Sequence, residues 1–379
     1  MKNKAWIISA SMGYGHQRTA YPLREIAYEG KIINVNDYDG IPLKDKNFWD
    51  SNRRFYEFIS DFKKIPVIGE PLFGAFDAFQ QIPAFYPRRD LSKPTFSLRK
   101  NYSFIKKGWG QDLISKLKKN PLPIVASFFT PAFMAEEFKY PEDIYCVICD
   151  ADISRTWAPL NPQKSRIKYF APNNWVIDRL KQYGVKEKNI YLTGYPLPLE
   201  NIGTRNKETA KEDFKIRLLN LDPTRWYTKQ YRALVENEVG KVSGKSLRPL
   251  TLLFSIGGAG AQKEIVISFL KGLKEKIKDK EIKVILSAGT RPDVIAYFLR
   301  RIENIGLKRN VNKNIEIIYE QSVDAFFAKF NKKLKETDIL WTKPSELSFY
   351  AGLGIPIIIA PSVGAQEDLN KKWLLRMGA

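Results

Sequence analysis

The chain has 379 residues, 44% apolar and 27% charged, which is enough apolar material for a sizeable core and excludes a disordered chain. A formal charge of +21 calls for a polyanionic partner: nucleic acid, an anionic membrane surface or a phosphorylated substrate. No apolar run reaches the ~20 residues that span a bilayer. The N-terminus lacks a signal-peptide pattern, and two cysteines fit a reducing cytoplasm.

Along the first half, β-branched runs at Ala5–Ser11, Lys31–Asn36, Pro123–Phe128, Ile144–Cys149, Ile167–Phe170 and Asn189–Leu192 read as strands. Helical patterns stand between them at Gln17–Tyr28, Pro131–Phe138 and Val176–Tyr183. The alternation restarts with a strand at Leu250–Ser255, a helix at Lys263–Lys278, a strand at Lys283–Ser287 and a helix at Pro292–Ile305. Strands at Ile315–Tyr319, Ile339–Trp341 and Ile355–Ile359 complete it. The pattern predicts an α/β chain of two Rossmann-like parallel-sheet domains, with ligands at the C-terminal ends of the strands. The expected division is an N-terminal domain 1–200, a charged helical linker 201–248 and a C-terminal domain 249–379.

An insertion at 45–110 is dense in aromatic and basic residues, from Phe48, Trp49, Arg53 and Arg54 through Phe73, Phe76 and Phe79 to Phe85, Tyr86, Arg88 and Arg89. It reads as an interfacial or acceptor element, or else as a subdomain packing its own aromatics inward. Cys146 and Cys149 form a CxxC in an apolar strand. They face opposite sides, no second pair completes a zinc site, and both are expected in the core.

Four loops that follow strands carry candidate chemistry. The first holds Gly13, Tyr14, Gly15 and the only histidine, His16, whose imidazole is the default general base near neutrality. Glycine lets this backbone turn sharply, and Arg18 with the helix start favours an anion. The second, Gly257, Gly258, Ala259 and Gly260, suits a diphosphate on backbone N–H groups but is neither a Walker A loop nor a full GxGxxG. The third runs from Thr342 and Lys343 to Glu346, a carboxylate able to accept from a ribose diol or to support a helix start. The fourth offers Gln366, Glu367 and Asn370 to sugar hydroxyls. Asp150-Ala151-Asp152 imitates a metal-binding DxD, although a polar role for Asp150 without metal is the preferred reading.

Taken in order, these segments resemble the GT-B glycosyltransferases, most closely the monogalactosyldiacylglycerol synthases, processive diacylglycerol glucosyltransferases and the peptidoglycan N-acetylglucosaminyltransferases. The matching pieces are Ser11–His16 with Thr19-Ala20, Ala171–Val176, Thr193–Pro196, Lys215–Arg217 with Leu221-Asp222, Gly257-Gly258, Thr342–Pro344, Gly354–Pro356, and Gln366-Glu367 with Asn370. Where the family carries a Ser-Thr-His-Pro-like segment, this chain reads Ser127-Phe128-Phe129-Thr130-Pro131. The family's closing helices are not found after the fourth loop, so the C-terminal domain is expected to be short or truncated.

The resemblance implies two Rossmann-like domains about a cleft. It implies metal-independent, inverting transfer from a UDP-sugar, as substrate rather than cofactor, to a lipid acceptor at the cytoplasmic membrane face. His16 then matches the proposed base and Asp150 a cleft aspartate. Gly257–Gly260 faces the diphosphate, Glu346 the ribose, and Gln366 and Glu367 the sugar. The alternatives are a UDP-sugar epimerase on the same fold, disfavoured by the single histidine, and a non-catalytic sugar-nucleotide or nucleic-acid binder. Nucleic acid is not the expected partner, because the basic residues are dispersed and no RNA-binding motif is present.

Overall fold

The computed structural model describes residues 4–51, 82–83, 85–87, 89–246, 248–255, 263–344, 346–362 and 365–377. It resolves into two compact units, one of 1–196 with 344–348 and 362–378, the other of 197–343 with 349–361.

The first unit holds a six-stranded parallel sheet in the order β2-β1-β3-β4-β5-β6, formed by β1 (Ala5–Ser9), β2 (Ala27–Asn34), β3 (Ile124–Ala126), β4 (Ile144–Val147), β5 (Lys168–Ala171) and β6 (Ile190–Leu192). Its apolar runs do not alternate with polar residues because both faces are covered. Ala5 and Ile7 share one buried cluster with Ala27, Val125 and Val147. Ile8 and Ala10 point the other way, into a larger core with Ile124, Ala126, Ile144 and Cys146. Because β2 and β3 flank β1 on opposite sides, the direction of winding reverses there, and the loops after β1 and β3 diverge at a natural ligand position.

The second unit holds a five-stranded parallel sheet in the order β11-β10-β7-β8-β9, from β7 (Leu250–Ser255), β8 (Ile282–Gly289), β9 (Ile315–Tyr319), β10 (Ile339–Thr342) and β11 (Ile357–Ile359). The expected pair of parallel α/β sheets is therefore present. Val284, Leu286, Val294, Phe298 and Ile302 centre its core beneath the Pro292–Asn304 helix.

Three sequence expectations are corrected. The helix at Gln17–Tyr28 ends at Ala20, because Pro22 lacks an N–H to continue it; a 3-10 turn follows, and β2 begins at Ala27 rather than Lys31. Residues 201–248 are not a separate linker. They belong to the second unit, where Arg217 in the Glu208–Leu221 helix donates to the carbonyls of Thr337 and Gly354. The last helix, Ala365–Arg376, groups with the first unit rather than extending the second.

In the insertion, Trp49 and Phe85 are buried, and Phe48 packs on Phe104 and Trp109 at ring distances of 4.4 and 4.3 Å. These three aromatics are core, whereas Tyr86 and Phe96 of the same insertion are exposed. Residues 52–81, which hold Arg53, Arg54, Phe73, Phe76 and Phe79 of that segment, lie outside the described residues.

Candidate active site

The C-terminal ends of β1, β3 and β4, neighbours in the first sheet, bring together His16, Ser127 with Phe128, and Cys149 with Asp150. The loop after β1 needs Gly13, whose φ of 124° L side chains rarely adopt. The short helix Tyr14–Ala20 then carries His16 on its first turn. Tyr14 is buried. The Gly15 carbonyl accepts from Thr19, and Tyr195 lies 2.9 Å from the same hydroxyl.

His16 Nδ1 lies 3.0 Å from the carbonyl oxygen of Ser127. A carbonyl brings no proton, so Nδ1 carries the hydrogen and Nε2 is left with its lone pair. Ser127 is itself fixed to β1 by its N–H on the Ile8 carbonyl, at 2.9 Å. The Phe128 ring meets the imidazole edge to face with ring centres 4.7 Å apart, and the Trp157 ring centre stands 6.1 Å away. In these surroundings burial disfavours the imidazolium and lowers the His16 pKa to about 4, against a smaller upward pull from the Ser127 carbonyl. His16 is thus a neutral, oriented imidazole at physiological pH.

Sequence reasoning assigned Cys149 to the core. It is buried, yet its Sγ lies 3.3 Å from His16 Nδ1 and its thiol donates to Asp150 Oδ2 at 3.7 Å. One thiol therefore stands between the imidazole and a carboxylate. Burial pushes that thiol well above the ordinary cysteine range, so it remains S–H, a donor toward Asp150. Asp150 rises to about 6, first through burial and then through the nearby charges of Asp152 and Glu367, against hydrogen bonds from Asn370 and Cys149.

The DxD pair is divided. Asp152 accepts from Arg179 at 2.9 and 2.8 Å, from Trp175 Nε1 at 2.8 Å and from the Ile153 N–H at 2.8 Å. Both of its oxygens serve the Asn174–Gln182 helix, whereas Asp150 serves Cys149 and Asn370.

The remaining expected residues take other positions. Arg18 and Glu346 form an ion pair at 2.5 Å with side chains 1% and 2% exposed, so in this structure Arg18 faces a carboxylate of the chain and Glu346 has no open side for a diol. Asn370 is buried; it accepts from the Ala151 N–H at 3.1 Å and donates to the Pro344 carbonyl at 2.9 Å and to Asp150 at 3.4 Å. That commits its amide to the frame around Asp150. Glu367 is half-buried on the last helix. Lys343 follows β10 in the second unit. Gly257, Gly258, Ala259 and Gly260 lie outside the described residues, as does the Gln366 side chain.

A family model described as a domain of unknown function (DUF6938) matches residues 241–322. A search of the curated proteins finds no match. Among solved structures, UDP-GlcNAc 2-epimerase from Methanocaldococcus jannaschii with UDP-GlcNAc and UDP is similar at 14% identity and a TM-score of 0.39, over 99% of this chain and 93% of that one. A glycosyltransferase from Rickettsia africae is similar at 13% identity and a TM-score of 0.37, over 99% and 89% of the two chains. Anabaena HepE in complex with UDP and glucose is similar at 11% identity and a TM-score of 0.40, over 99% and 91%.

Proposed function

We propose that this chain is a metal-independent glycosyltransferase that moves a sugar from a UDP-sugar to the hydroxyl of an amphiphilic acceptor, with His16 as general base. The observation that carries this reading is the state of His16: a neutral imidazole whose Nδ1–H is held by the Ser127 carbonyl, leaving Nε2 to accept a proton. In the transfer, Nε2 takes the acceptor's hydroxyl proton while its oxygen bonds to the anomeric carbon. The bond from that carbon to the diphosphate breaks, and UDP leaves with the electron pair. Asp150, ionised above pH about 6, steadies the imidazolium through the Cys149 thiol. The order of motifs in the sequence supports a nucleotide-sugar donor at Gly257–Gly260 and an acceptor of the glycolipid class, and on this reading the enzyme works at the cytoplasmic membrane face.

A thermal-shift screen of nucleotide sugars, followed by UDP-release assays with lipid extracts and soluble glycosides, tests this function. We expect stabilisation by a UDP-sugar and acceptor-dependent UDP release. His16→Ala abolishes release while nucleotide binding survives. Near-wild-type turnover in that variant refutes the base, and an epimerised nucleotide sugar formed without acceptor refutes the transferase.

A further inference from the structure

In the second unit, exposed apolar side chains gather on one short stretch. Leu221, Trp226, Tyr227, Tyr231 and Leu234 are 37, 67, 38, 45 and 56% exposed. They lie on the end of the Glu208–Leu221 helix and on the helices Trp226–Gln230 and Arg232–Val239. The stretch is not a loosely packed core, because its inner side is filled. Val235 and Val239 pack on Leu218 with Phe214 and Val242. Its turn is braced by Asp222, whose carboxylate accepts from the Tyr227 N–H at 3.2 Å, the Thr228 N–H at 2.8 Å and the Thr228 hydroxyl at 2.6 Å. Tyr227 and Tyr231 pack with ring centres 4.9 Å apart and planes tilted by 43°. The fold thus presents indole, phenol and leucine side chains outward on a fixed base.

The chemistry selects an occupant. Trp and Tyr suit the headgroup level of a bilayer, where an apolar ring and a polar tip are both satisfied, and leucine suits the acyl boundary beneath. Exposed Lys229 and Arg232 lie within the stretch and exposed Lys241 and Lys245 follow it, on a chain of net charge +21. That charge repels a second copy and attracts an anionic surface. RNA fits less well: leucine offers no stacking face, Arg232 is already paired with Glu236, and Glu238 stands exposed nearby.

We propose that the 221–234 face docks on an anionic lipid bilayer, with Trp226 and Leu234 entering the interface and the neighbouring lysines meeting headgroup phosphates. This deepens the transferase reading by giving an amphiphilic acceptor its surface, but the docking itself does not depend on catalysis. The test is co-sedimentation of the full chain with phosphatidylcholine vesicles with and without phosphatidylglycerol. Trp226→Ser/Leu234→Ser and Lys229→Glu/Lys241→Glu are compared with the wild type after circular dichroism shows unchanged folds. We expect binding that needs phosphatidylglycerol, weakens in high salt, and falls roughly tenfold or more in each double variant. Vesicle binding that both variants retain overturns the assignment of this face. So does absence of binding, an association of copies that the serine variant dissolves, or RNA binding lost in the variants while vesicles are ignored. UDP release with a soluble glycoside is read in parallel, so failure of docking and failure of the transferase reading are told apart.

Discussion

His16 is the chain's only histidine, so its protonation can be followed alone. Selective 15N-histidine labelling gives one imidazole, and we expect it at neutral pH as the Nδ1–H tautomer, protonating only near pH 4. The lowered value, against 6.5 for an ordinary histidine, corresponds to roughly 3 kcal/mol disfavouring the cation. Its sign for stability is definite: the contribution is present above pH 6.5 and is lost as pH falls through about 4, because the unfolded chain takes up the proton first. Asp150 acts oppositely. Its pKa is raised to about 6, so its contribution is present below the ordinary aspartate value of 3.8 and is lost as pH rises through about 6. Between pH 4 and 6 the two slopes oppose each other, and the wild type loses little stability to either group. Asp150→Asn then unmasks stability that rises with pH, by roughly 1 kcal/mol per unit, and His16→Gln unmasks the reverse slope. Denaturant unfolding from pH 4 to 7 measures both. An imidazole titrating near 6.5, an Nε2–H tautomer, or unopposed slopes in the wild type would refute the reasoning.

The same ordering sets the acid limb of transfer: turnover should fall below pH about 6 as Asp150 takes a proton, and Asp150→Asn should abolish that limb in a pH–rate profile. Gly110→Ala should cost about 2–4 kcal/mol by denaturant unfolding. Its φ is +83°, and a Cβ there would collide with the Met134 side chain at Sδ. Asp338 is fully buried and accepts from Arg248 at 2.6 and 2.7 Å, from Asn220 at 2.7 Å and from the Thr251 N–H at 2.8 Å. Asp338→Ala should therefore cost about 3–5 kcal/mol, and a double variant with Arg248→Met less than the sum of the two single changes.

Much of the fold was legible because both faces of each sheet are buried, so the strands stand out as apolar runs bounded by turns. The helix Val323–Leu334 was missed although it carries a signal: Ser322 caps the Ala325 N–H, and Phe326, Phe327, Phe330 and Leu334 recur at helical spacing. Placing His16 after β1 and Asp150 after β4 needed only the strand pattern. Cys149 was not legible, since its imidazole neighbour is 133 positions away and an apolar strand end gives no sign of it. Glu346 and Asn370 expose a different limit. A carboxylate or amide suited to a ligand is equally suited to a buried partner, and Arg18, 328 positions from Glu346, supplies one.

The bond between Asn370 and Asp150 spans 220 positions, and this has a consequence for synthesis. The strands of the first sheet have all been translated by Leu192, and that sheet can begin to form while the rest of the chain is being made. The amide that frames Asp150 follows later, at ribosomal rates about 10–45 s after the aspartate itself. The nascent protein can thus acquire its first sheet well before its chemistry, and Asp150 stays without its Asn370 partner until the last helix has been made.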